Sequence, residues 1–352
     1  QKGQFDISIQ VTIPNEWERL APVNIGVTAG IETTKVAPVW LEKANIMDKI
    51  ITISEHSKWG FTNTTYQGQN SQTAEPMTLA CSVPVEIVHY PVKTYATLPK
   101  LELNLDYDFN FLAVAQQGPR KNLENTIKWF VEENIDQKVG LVVKTFIKNG
   151  SIVDREHAEK MLSVILSKYP ERNCKVYLLH GDLTDAEMHS LYSHPQMSAM
   201  VSLTHGEGYG LPLFEAAYSG LPIIAPGWSG QCDFLYAPIK ARKGKGKGKE
   251  KHPHFAEVDY TIAPVPPQAV WEGVISADSM WCYPEEGSYK MKLRDVRKHH
   301  AKWKKKAVVL QSWILKNFEQ EIVYKKFTDL IYEKEEFDVE SWLEALSVEE
   351  HA

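Results

Sequence analysis

Two hydrophobic patterns alternate along most of the chain, and the alternation is clearest after residue 109. Short apolar runs typical of buried strands are followed by segments with apolar residues every three or four positions, as in amphipathic helices. The predicted strands are 109–115, 140–146, 176–180, 199–203 and 222–225, and the predicted helices are 123–134, 156–168, 185–193 and 212–219. This alternation predicts a doubly wound, Rossmann-like parallel sheet.

The first hundred residues carry a shorter version of the same pattern. Strands are predicted at 5–13, 23–28, 50–54 and 85–90, a helix at 36–49, and a polar loop at 67–75. Residues 93–104 lack periodicity and contain Pro99, which predicts a linker. Because the chain starts directly in a strand pattern and without Met, we expect its first domain to be incomplete at the N-terminus.

These patterns predict an α/β protein with a first Rossmann-like domain at 1–100 and a second at 101–311. Residues 312–352 then form a C-terminal segment, with a long helix at 313–332 and a further helix at 339–346 in an acidic tail. A basic insertion, KARKGKGKGKEK, occupies 240–251. We interpret it as a solvated surface insertion, and an anion-binding arm is the alternative.

Composition narrows the class of protein. The 352 residues are 43% hydrophobic and 24% charged, which is typical of soluble globular proteins. No apolar run approaches the roughly 20 residues of a membrane span, so we expect no integral membrane segment. The net charge of −6 does not favour nucleic acid as a partner. The four cysteines form no CxxC pair, which argues against structural zinc and indicates a reducing, cytoplasmic location.

The stretch LTHGEGYGLPLFEAAYSGLPIIAPGWSGQ concentrates glycines between two apolar runs. Its beginning is predicted to be a strand, a glycine-rich loop and a helix with Pro212 at its first position, where proline is favoured. Free N–H groups of a first helical turn bind anions, and ligands of open α/β sheets bind at the carboxyl ends of the strands. The stretch therefore predicts an anion site.

Two acids in this stretch, Glu207 in the loop and Glu215 in the predicted first helical turn, would repel a phosphate. Ionised carboxylates only accept hydrogen bonds, so they suit the hydroxyls of a sugar or ribose. A second loop, GPRKN, places Arg120 and Lys121 before a helix that Asn122 is expected to cap. These cations could neutralise a departing diphosphate without a metal. A nucleotide sugar carries both kinds of group, hydroxyls for the carboxylates and a diphosphate for the cations.

The motif GEGYGLPLFEAAYSGLPIIAP, with seven residues between its two glutamates, resembles the donor-site motif of retaining, family 4-like glycosyltransferases of the GT-B fold. GPRKN resembles the phosphate-binding loop of the same family. The resemblance implies two Rossmann-like domains, a cleft between them, a C-terminal crossover helix, and hexose transfer with retention from a UDP- or GDP-sugar. It implies no other cofactor and no metal, and the acceptor, whether glycan, protein or lipid, is left open.

The resemblance also implies roles for individual residues. Glu215 would bind the ribose hydroxyls, Glu207 the donor sugar, and Arg120 and Lys121 the phosphates. The remaining residues expected at the donor are His205, Gly206, Gly208, Tyr209, Gly210 and Leu211. The first-domain histidine motif of the family is not evident, and Glu32, which follows a predicted strand, is the substitute candidate for a polar group in the cleft.

Other functions compete with this hypothesis. A catalytically silent module that binds a nucleotide sugar or glycan would use the same pocket, and a nucleic-acid-binding protein would act through residues 240–251. Asp106 and Asp108 form a DxD pattern that could hold a metal, but they precede a doubly wound domain, so a solvated strand entry is favoured. His252 and His254 lack the acidic or cysteine neighbours of a metal site.

Overall fold

The computed structural model describes residues 5–69, 75–238 and 250–332, which form two parallel sheets surrounded by helices. The strands are β1 (Ile7–Val11), β2 (Val23–Thr28), β3 (Lys49–Thr52), β4 (Thr65–Gln69), β5 (Pro76–Ala80), β6 (Val85–Ile87), β7 (Asn110–Gln116), β8 (Gly140–Phe146), β9 (Lys175–Leu179), β10 (Met197–Val201), β11 (Ile223–Pro226), β12 (Tyr236–Pro238), β13 (Lys251–Pro253), β14 (Ala256–Val258), β15 (Tyr260–Pro264) and β16 (Met280–Pro284). The helices are α1 (Pro38–Ala44), α2 (Glu55–Asn63), α3 (Leu123–Glu133), α4 (Ile152–Leu166), α5 (Asp185–Tyr192), α6 (Leu211–Tyr218), α7 (Cys232–Leu235), α8 (Glu286–Lys298), α9 (His300–Asn317) and α10 (Gln320–Ile331).

The first sheet has four parallel strands in the order β1-β2-β3-β6. Ile25 of β2 pairs with Lys49 of β3, so the strand ends of the two are nearly level. A core of aromatic residues lies beneath α1 and α2, where the ring of Phe61 is 5.9 Å from that of Trp40 and 6.4 Å from that of Trp17. Rings of this size bury a large apolar area each, which suits a sheet of only four strands.

Two predictions in the first hundred residues were wrong in extent. The helix predicted at 36–49 is only α1, because it begins at Pro38, where proline fixes the first helical turn, and ends before Asn45. The predicted loop at 67–75 includes the end of β4, which pairs antiparallel with β5. Both strands of this hairpin are largely exposed, so they lack the hydrophobic alternation that identifies a half-buried strand.

The second sheet has six parallel strands in the order β14-β11-β10-β7-β8-β9. Leu112 of β7 pairs with Met200 of β10 on one side and with Val142 of β8 on the other, and all three are buried. Strands buried on both faces read as continuous apolar runs, which is why the sequence predicted β7, β8, β10 and β11 well, whereas the three-residue edge strand β14 was missed. The loops after β7 and β10 therefore leave the same edge of the sheet side by side.

Two short antiparallel hairpins, β12–β13 and β15–β16, follow the main strands of the second sheet. The basic insertion predicted at 240–251 lies largely outside the described residues, and it joins β12 to β13. Residues 88–109, which include the predicted linker, contain no helix or strand. The tail helix predicted at 339–346 lies outside the described residues.

The helix predicted at 313–332 is two helices, because the chain leaves the helical conformation at Glu319, whose backbone is extended. The preceding residue, Phe318, is buried against Phe214 and Trp313, and this packing fixes the break. After it, α10 crosses to the first sheet, where Val323 joins a cluster with Ile25, Ile51 and Val88. The predicted crossover is therefore present. None of the described helices is both long and apolar enough to span a membrane.

The carboxyl edges of the two sheets face each other. Ser54, which follows β3, donates its hydroxyl to the carbonyl oxygen of Gly208, which follows β10, at 2.7 Å. The backbone N–H of Glu55 donates to the carboxylate of Asp233 on α7 at 2.8 Å. The loops that carry the predicted site residues therefore lie between the two halves of the chain.

Candidate active site

The loop after β7 and the loop after β10 are joined by hydrogen bonds. The carbonyl oxygen of Arg120 accepts from the backbone N–H of His205 at 2.8 Å, and the Arg120 Nη1 donates to the carbonyl oxygen of Gly206 at 2.7 Å. The Thr204 hydroxyl also donates to the Gly206 carbonyl, at 2.9 Å. These bonds hold the arginine–lysine loop against the glycine-rich loop, as the parallel topology predicted.

Glu207 is the centre of the site and is 7% exposed. Its Oε2 is 2.8 Å from the Arg120 Nη1, and its Oε1 is 2.6 Å from the Lys121 Nζ. Burial raises the pKa of Glu207, but the charges of Arg120 and Lys121 outweigh it and hold that pKa below its usual value. The carboxylate is thus ionised and fully engaged, which makes it a poor general base.

The same surroundings shift the pKa values of Lys121 and Arg120 in opposite directions. Burial lowers the pKa of the Lys121 ammonium, and the opposing charge of Glu207 restores it only in part. Burial also lowers the pKa of the Arg120 guanidinium, but the charges of Glu207 and Glu32 outweigh this effect and keep that pKa above its usual value. Both side chains therefore form a compact positive pair beside one carboxylate, which is the charge pattern that binds phosphate oxygens.

Glu32 is brought to this cluster from the first half of the chain. It follows β2, is buried, and lies with its Oε1 3.6 Å from the Arg120 Nε. The Trp281 indole N–H donates to the same oxygen at 3.1 Å. Burial raises the pKa of Glu32, although Arg120 opposes that effect. The sequence suggested Glu32 only as a polar group of the cleft, and its contact with Arg120 makes it a direct partner of the cation pair.

Glycines let three loops approach one another at this point. A Cβ on Gly208 would lie 2.6 Å from the Ala29 carbonyl oxygen of the first half, and a Cβ on Gly206 would lie 2.8 Å from the Cβ of Glu32. A Cβ on Gly230, in the loop after β11, would overlap the Gly208 carbonyl oxygen. Gly210 has a φ of 93°, in the left-handed region that favours glycine. The glycine density of the sequence therefore serves close backbone packing.

Ser229, in the loop after β11, helps to hold the backbone of Glu207 in place. Its hydroxyl accepts from the Glu207 backbone N–H at 2.8 Å, while the Gly230 N–H donates to the Glu207 carbonyl at 2.9 Å. Trp281 and Ser54 were missed by the sequence analysis. Ser54 carried a usable signal, because it caps α2 at the carboxyl end of a parallel strand. Trp281 carried none, because it lies on the β15–β16 hairpin.

The predicted donor residues around this core face different surroundings. The His205 ring lies parallel to the Trp281 ring at 5.5 Å, and its Nδ1 is 2.7 Å from the Cys282 carbonyl oxygen. The Tyr209 side chain is buried among Tyr90 and Phe234, so only the backbone of Tyr209 lies along the loop. Leu211 is exposed at the first position of α6.

Three local predictions need correction. Pro212 is the second residue of α6, and Glu215 is the fifth, so Glu215 lies in the second helical turn. Burial raises the pKa of Glu215, with Tyr192 and Lys93 opposing that effect. Asn122 precedes α3, but its backbone is left-handed, with a φ of 50°, and its side chain caps no backbone N–H; its Oδ1 accepts instead from the Asn125 side-chain amide at 2.7 Å. The two motif glutamates therefore occupy separate surroundings, Glu207 beside the cations and Glu215 beside Tyr192.

The described residues contain no group of three His, Cys, Asp or Glu side chains arranged to hold a metal ion. Asp106 and Asp108 precede β7, at the amino edge of the second sheet and opposite the site. The backbone N–H of Asp106 donates to the Tyr177 hydroxyl at 2.9 Å, and its carboxylate is 3.8 Å from the Lys175 Nζ. The structure therefore places these two acids away from the Arg120–Lys121 pair.

Comparison with known proteins gives short sequence matches and many structural ones. No model of a protein family matches the chain. Over 118 residues, 33% of the chain, it is 30% identical to the serotype-specific mannosyltransferase WbdA of Escherichia coli, and this match covers 13% of WbdA.

Solved structures match over most of the chain at low identity. Sucrose-phosphate synthase from Thermosynechococcus elongatus matches 88% of this chain and 67% of its own, with a TM-score of 0.58 and 13% identity. HepE from Anabaena matches 88% and 71%, with a TM-score of 0.55 and 11% identity. TarM from S. aureus matches 89% of this chain, which spans 51% of TarM, with a TM-score of 0.53 and 14% identity. The expectation from the sequence is thus confirmed at the level of fold, and the chain has the GT-B fold of glycosyltransferases.

Proposed function

We propose that the protein is a glycosyltransferase that moves a hexose from a nucleoside-diphosphate sugar to an acceptor hydroxyl, with retention and without a metal. The observation that carries this proposal is the pairing of Arg120 and Lys121 with the buried Glu207 between the two sheets. A cation pair held at the carboxyl edge of a parallel sheet is suited to a diphosphate. The GT-B fold and the mannosyltransferase match support the same class of reaction.

The donor would lie along the loop after β10. Its diphosphate replaces part of the Glu207 contact with Arg120 and Lys121, and its sugar hydroxyls donate to the Glu207 carboxylate. Glu215, on the second turn of α6, accepts from the ribose hydroxyls. We propose a UDP-sugar as the donor, since HepE was solved with UDP and glucose and TarM with UDP.

In the reaction, the bond between the anomeric carbon and the diphosphate oxygen breaks as the acceptor hydroxyl attacks from the same face of the sugar. Negative charge grows on the diphosphate, where Arg120 and Lys121 stabilise it. Glu207 is held ionised by its two cationic partners, so it positions the sugar and does not remove the acceptor proton. That proton passes to the departing diphosphate.

Charge balance gives Glu32 a role in this cycle. With Glu207 and Glu32 both ionised, the cluster with Arg120 and Lys121 is neutral, and a diphosphate adds only negative charge. A proton on Glu32 leaves the cluster with one net positive charge. Since burial raises the pKa of Glu32, we propose that this group takes up a proton when the donor binds.

A silent module that binds a nucleotide sugar is the second candidate. It is favoured by the close packing at Gly208, whose backbone lies directly against Ala29 of the first half. Packing this close leaves no room for an acceptor between Gly208 and Ala29. Turnover separates the two candidates, because only the enzyme releases a free nucleotide.

The test is nucleotide release from UDP-, GDP- and ADP-sugars by the intact chain and by its Glu207→Ala and Glu215→Ala variants. The proposal expects release from one donor class and its loss in both variants. Glu171→Ala is the matched control, since Glu171 is exposed in the loop before β9, at the amino edge of the second sheet and opposite the site. Binding without release would identify the silent module, and binding of no donor would overturn both candidates.

A further inference from the structure

An apolar groove lies between α9 and the β12–β13 hairpin. It has a volume of about 920 Å³, and its apolar walls are formed by Pro238, Pro253, Val308, Val309 and Trp313. Val308 and Val309 are neighbours on α9, and their side chains are 45% and 52% exposed. Contiguous exposed apolar side chains of this kind mark interaction surfaces.

Positive charge surrounds the groove. Lys305 and Lys306 of α9 line it together with His252 and His254 of the hairpin. The Lys251 Nζ lies 5.8 Å from the centre of the Trp313 ring. Two of the acids near the groove are Glu250, whose carboxylate is 83% exposed and 3.9 Å from the His252 Nε2, and Asp295, whose charge acts to raise the pKa of Lys306. The groove therefore combines an apolar floor with a basic rim.

The charge of this face departs from that of the whole chain. The protein has a net charge of −6, yet the 18 residues of α9 include five lysines and no Asp or Glu. Burial lowers the pKa of Lys306, and the charge of Lys302 lowers it further, which reflects crowding of like charges.

We propose that this groove docks the protein on the surface of a membrane containing anionic lipids. Exposed aliphatic residues enter the boundary between headgroups and acyl chains, while lysines attract the anionic headgroups. A binding site for single-stranded nucleic acid would instead present aromatic rings on which the bases stack. Here the exposed floor is aliphatic, and the Trp313 ring is occupied by Phe318 and Lys251. The composition of the groove therefore favours lipid.

The groove is separate from the candidate active site. Helix α9 is tied to the second half of the chain by the Gln311 side chain, which donates to the Tyr218 carbonyl at 2.9 Å, and by Lys304, which donates to the Gly220 carbonyl at 2.8 Å. None of the groove residues belongs to the Glu207 cluster. Docking would therefore hold the predicted donor-binding half at the membrane, whether or not the proposed transfer reaction is correct.

The test is flotation of the intact chain with vesicles of phosphatidylcholine alone and of phosphatidylcholine with phosphatidylglycerol. Lys305→Gln/Lys306→Gln removes charge from the rim, and Val308→Asn/Val309→Asn removes apolar surface without changing charge. Matched controls lie on α4 or just after it, where Lys160→Gln/Lys168→Gln and Val164→Asn alter exposed residues away from the groove. Unchanged melting temperatures show that all variants fold.

The proposal expects binding to the anionic vesicles only. The lysine variant should bind about 25-fold more weakly, since each of the two lysines near an anionic surface contributes a factor of about five. The valine variant should bind at least about fivefold more weakly, and the control variants should bind normally. Absence of binding would overturn the proposal. Binding that is indifferent to the valines and is competed equally by RNA would identify a polyanion surface and overturn it as well.

Discussion

The carboxylate of Glu207 lies 2.6 Å from the ammonium of Lys121, at a place that solvent barely reaches. Arg120 contacts the other oxygen of the same carboxylate. With Glu32 ionised as well, the arrangement keeps two partly buried cations side by side without a net excess of charge. Under the proposed function, a diphosphate that enters this position would find its counter-charges already oriented, which is the form of electrostatic catalysis that costs least reorganisation.

Removal of Lys121 should slow the reaction more than it weakens donor binding. In Lys121→Ala, kcat for donor cleavage is expected to fall about 100-fold, with a smaller change in KM, because the lysine contact strengthens as charge develops on the leaving diphosphate. Steady-state kinetics with the preferred donor provide the measurement. Lys138→Ala is the control, since Lys138 is exposed in the loop before β8. An unchanged kcat in Lys121→Ala would remove the lysine from the mechanism.

The raised pKa of Glu32 predicts a pH-dependent affinity for the diphosphate. Below that pKa Glu32 is neutral and the cluster carries net positive charge, whereas above it the negative charge of Glu32 opposes the ligand. Glu32→Gln should therefore bind UDP more tightly than the wild type at neutral pH. UDP itself also titrates, but this affects both proteins equally and drops out when the UDP affinity of Glu32→Gln is divided by that of the wild type. This ratio should approach one as the pH falls. A ratio independent of pH would show that Glu32 does not titrate with the ligand.

Close packing at Gly230 predicts a large loss of stability on adding one methyl group. Gly230→Ala would overlap the Gly208 carbonyl and approach the Tyr209 Cα, and neither backbone group can rotate away. We expect a loss of about 2–4 kcal/mol in the free energy of unfolding. Gly118→Ala, which meets no atom within 4 Å, should change it by less than about 0.5 kcal/mol. Equal stability of the two variants in urea denaturation would contradict the packing described here.

Asp233 predicts a pH dependence of folding that is independent of catalysis. Burial raises its pKa from 3.8 to about 6 in the folded protein, so the folded state binds more protons than the unfolded state between these values. Stability contributed by the protonated carboxyl is therefore lost as the pH rises from about 4 to about 6, by at most about 3 kcal/mol. Asp233→Asn should be more stable than the wild type at neutral pH and should lack this slope.

Thermal unfolding from pH 4 to 8 measures the effect. The asparagine side chain in Asp233→Asn keeps an oxygen that accepts from the Glu55 N–H, so the hydrogen bond across the two halves is preserved while the charge is removed. If the stabilities of the wild type and of Asp233→Asn changed with pH in parallel, burial would not raise the pKa of Asp233 in the folded protein.

The sequence predicted five of the six strands of the second sheet and the meeting of its two motif loops because both follow from parallel βαβ topology. Strands β7 and β10 are neighbours, so GPRKN and GEGYG leave the sheet together, and no further information was needed to bring Arg120 to Glu207. The same reasoning placed Glu32 at the cleft, because it follows a strand of the first sheet.

Other features depend on tertiary packing that no local pattern encodes. The break between α9 and α10 has neither proline nor glycine, and it is fixed by burial of Phe318 against Phe214. Trp281 reaches Glu32 from an antiparallel hairpin that crosses from the second half of the chain. Its position depends on how that hairpin packs, so hydrophobic periodicity could not predict it.

The most direct test of the central claim compares binding of UDP and uridine by calorimetry in the wild type, Arg120→Ala, Glu215→Ala and the exposed control Lys138→Ala. If Arg120 holds the diphosphate and Glu215 the ribose, Arg120→Ala should lose about 10- to 100-fold in UDP affinity and nothing for uridine. Glu215→Ala should weaken both ligands, and Lys138→Ala neither. Equal UDP affinity in the wild type and Arg120→Ala would contradict a donor site at the Glu207 cluster.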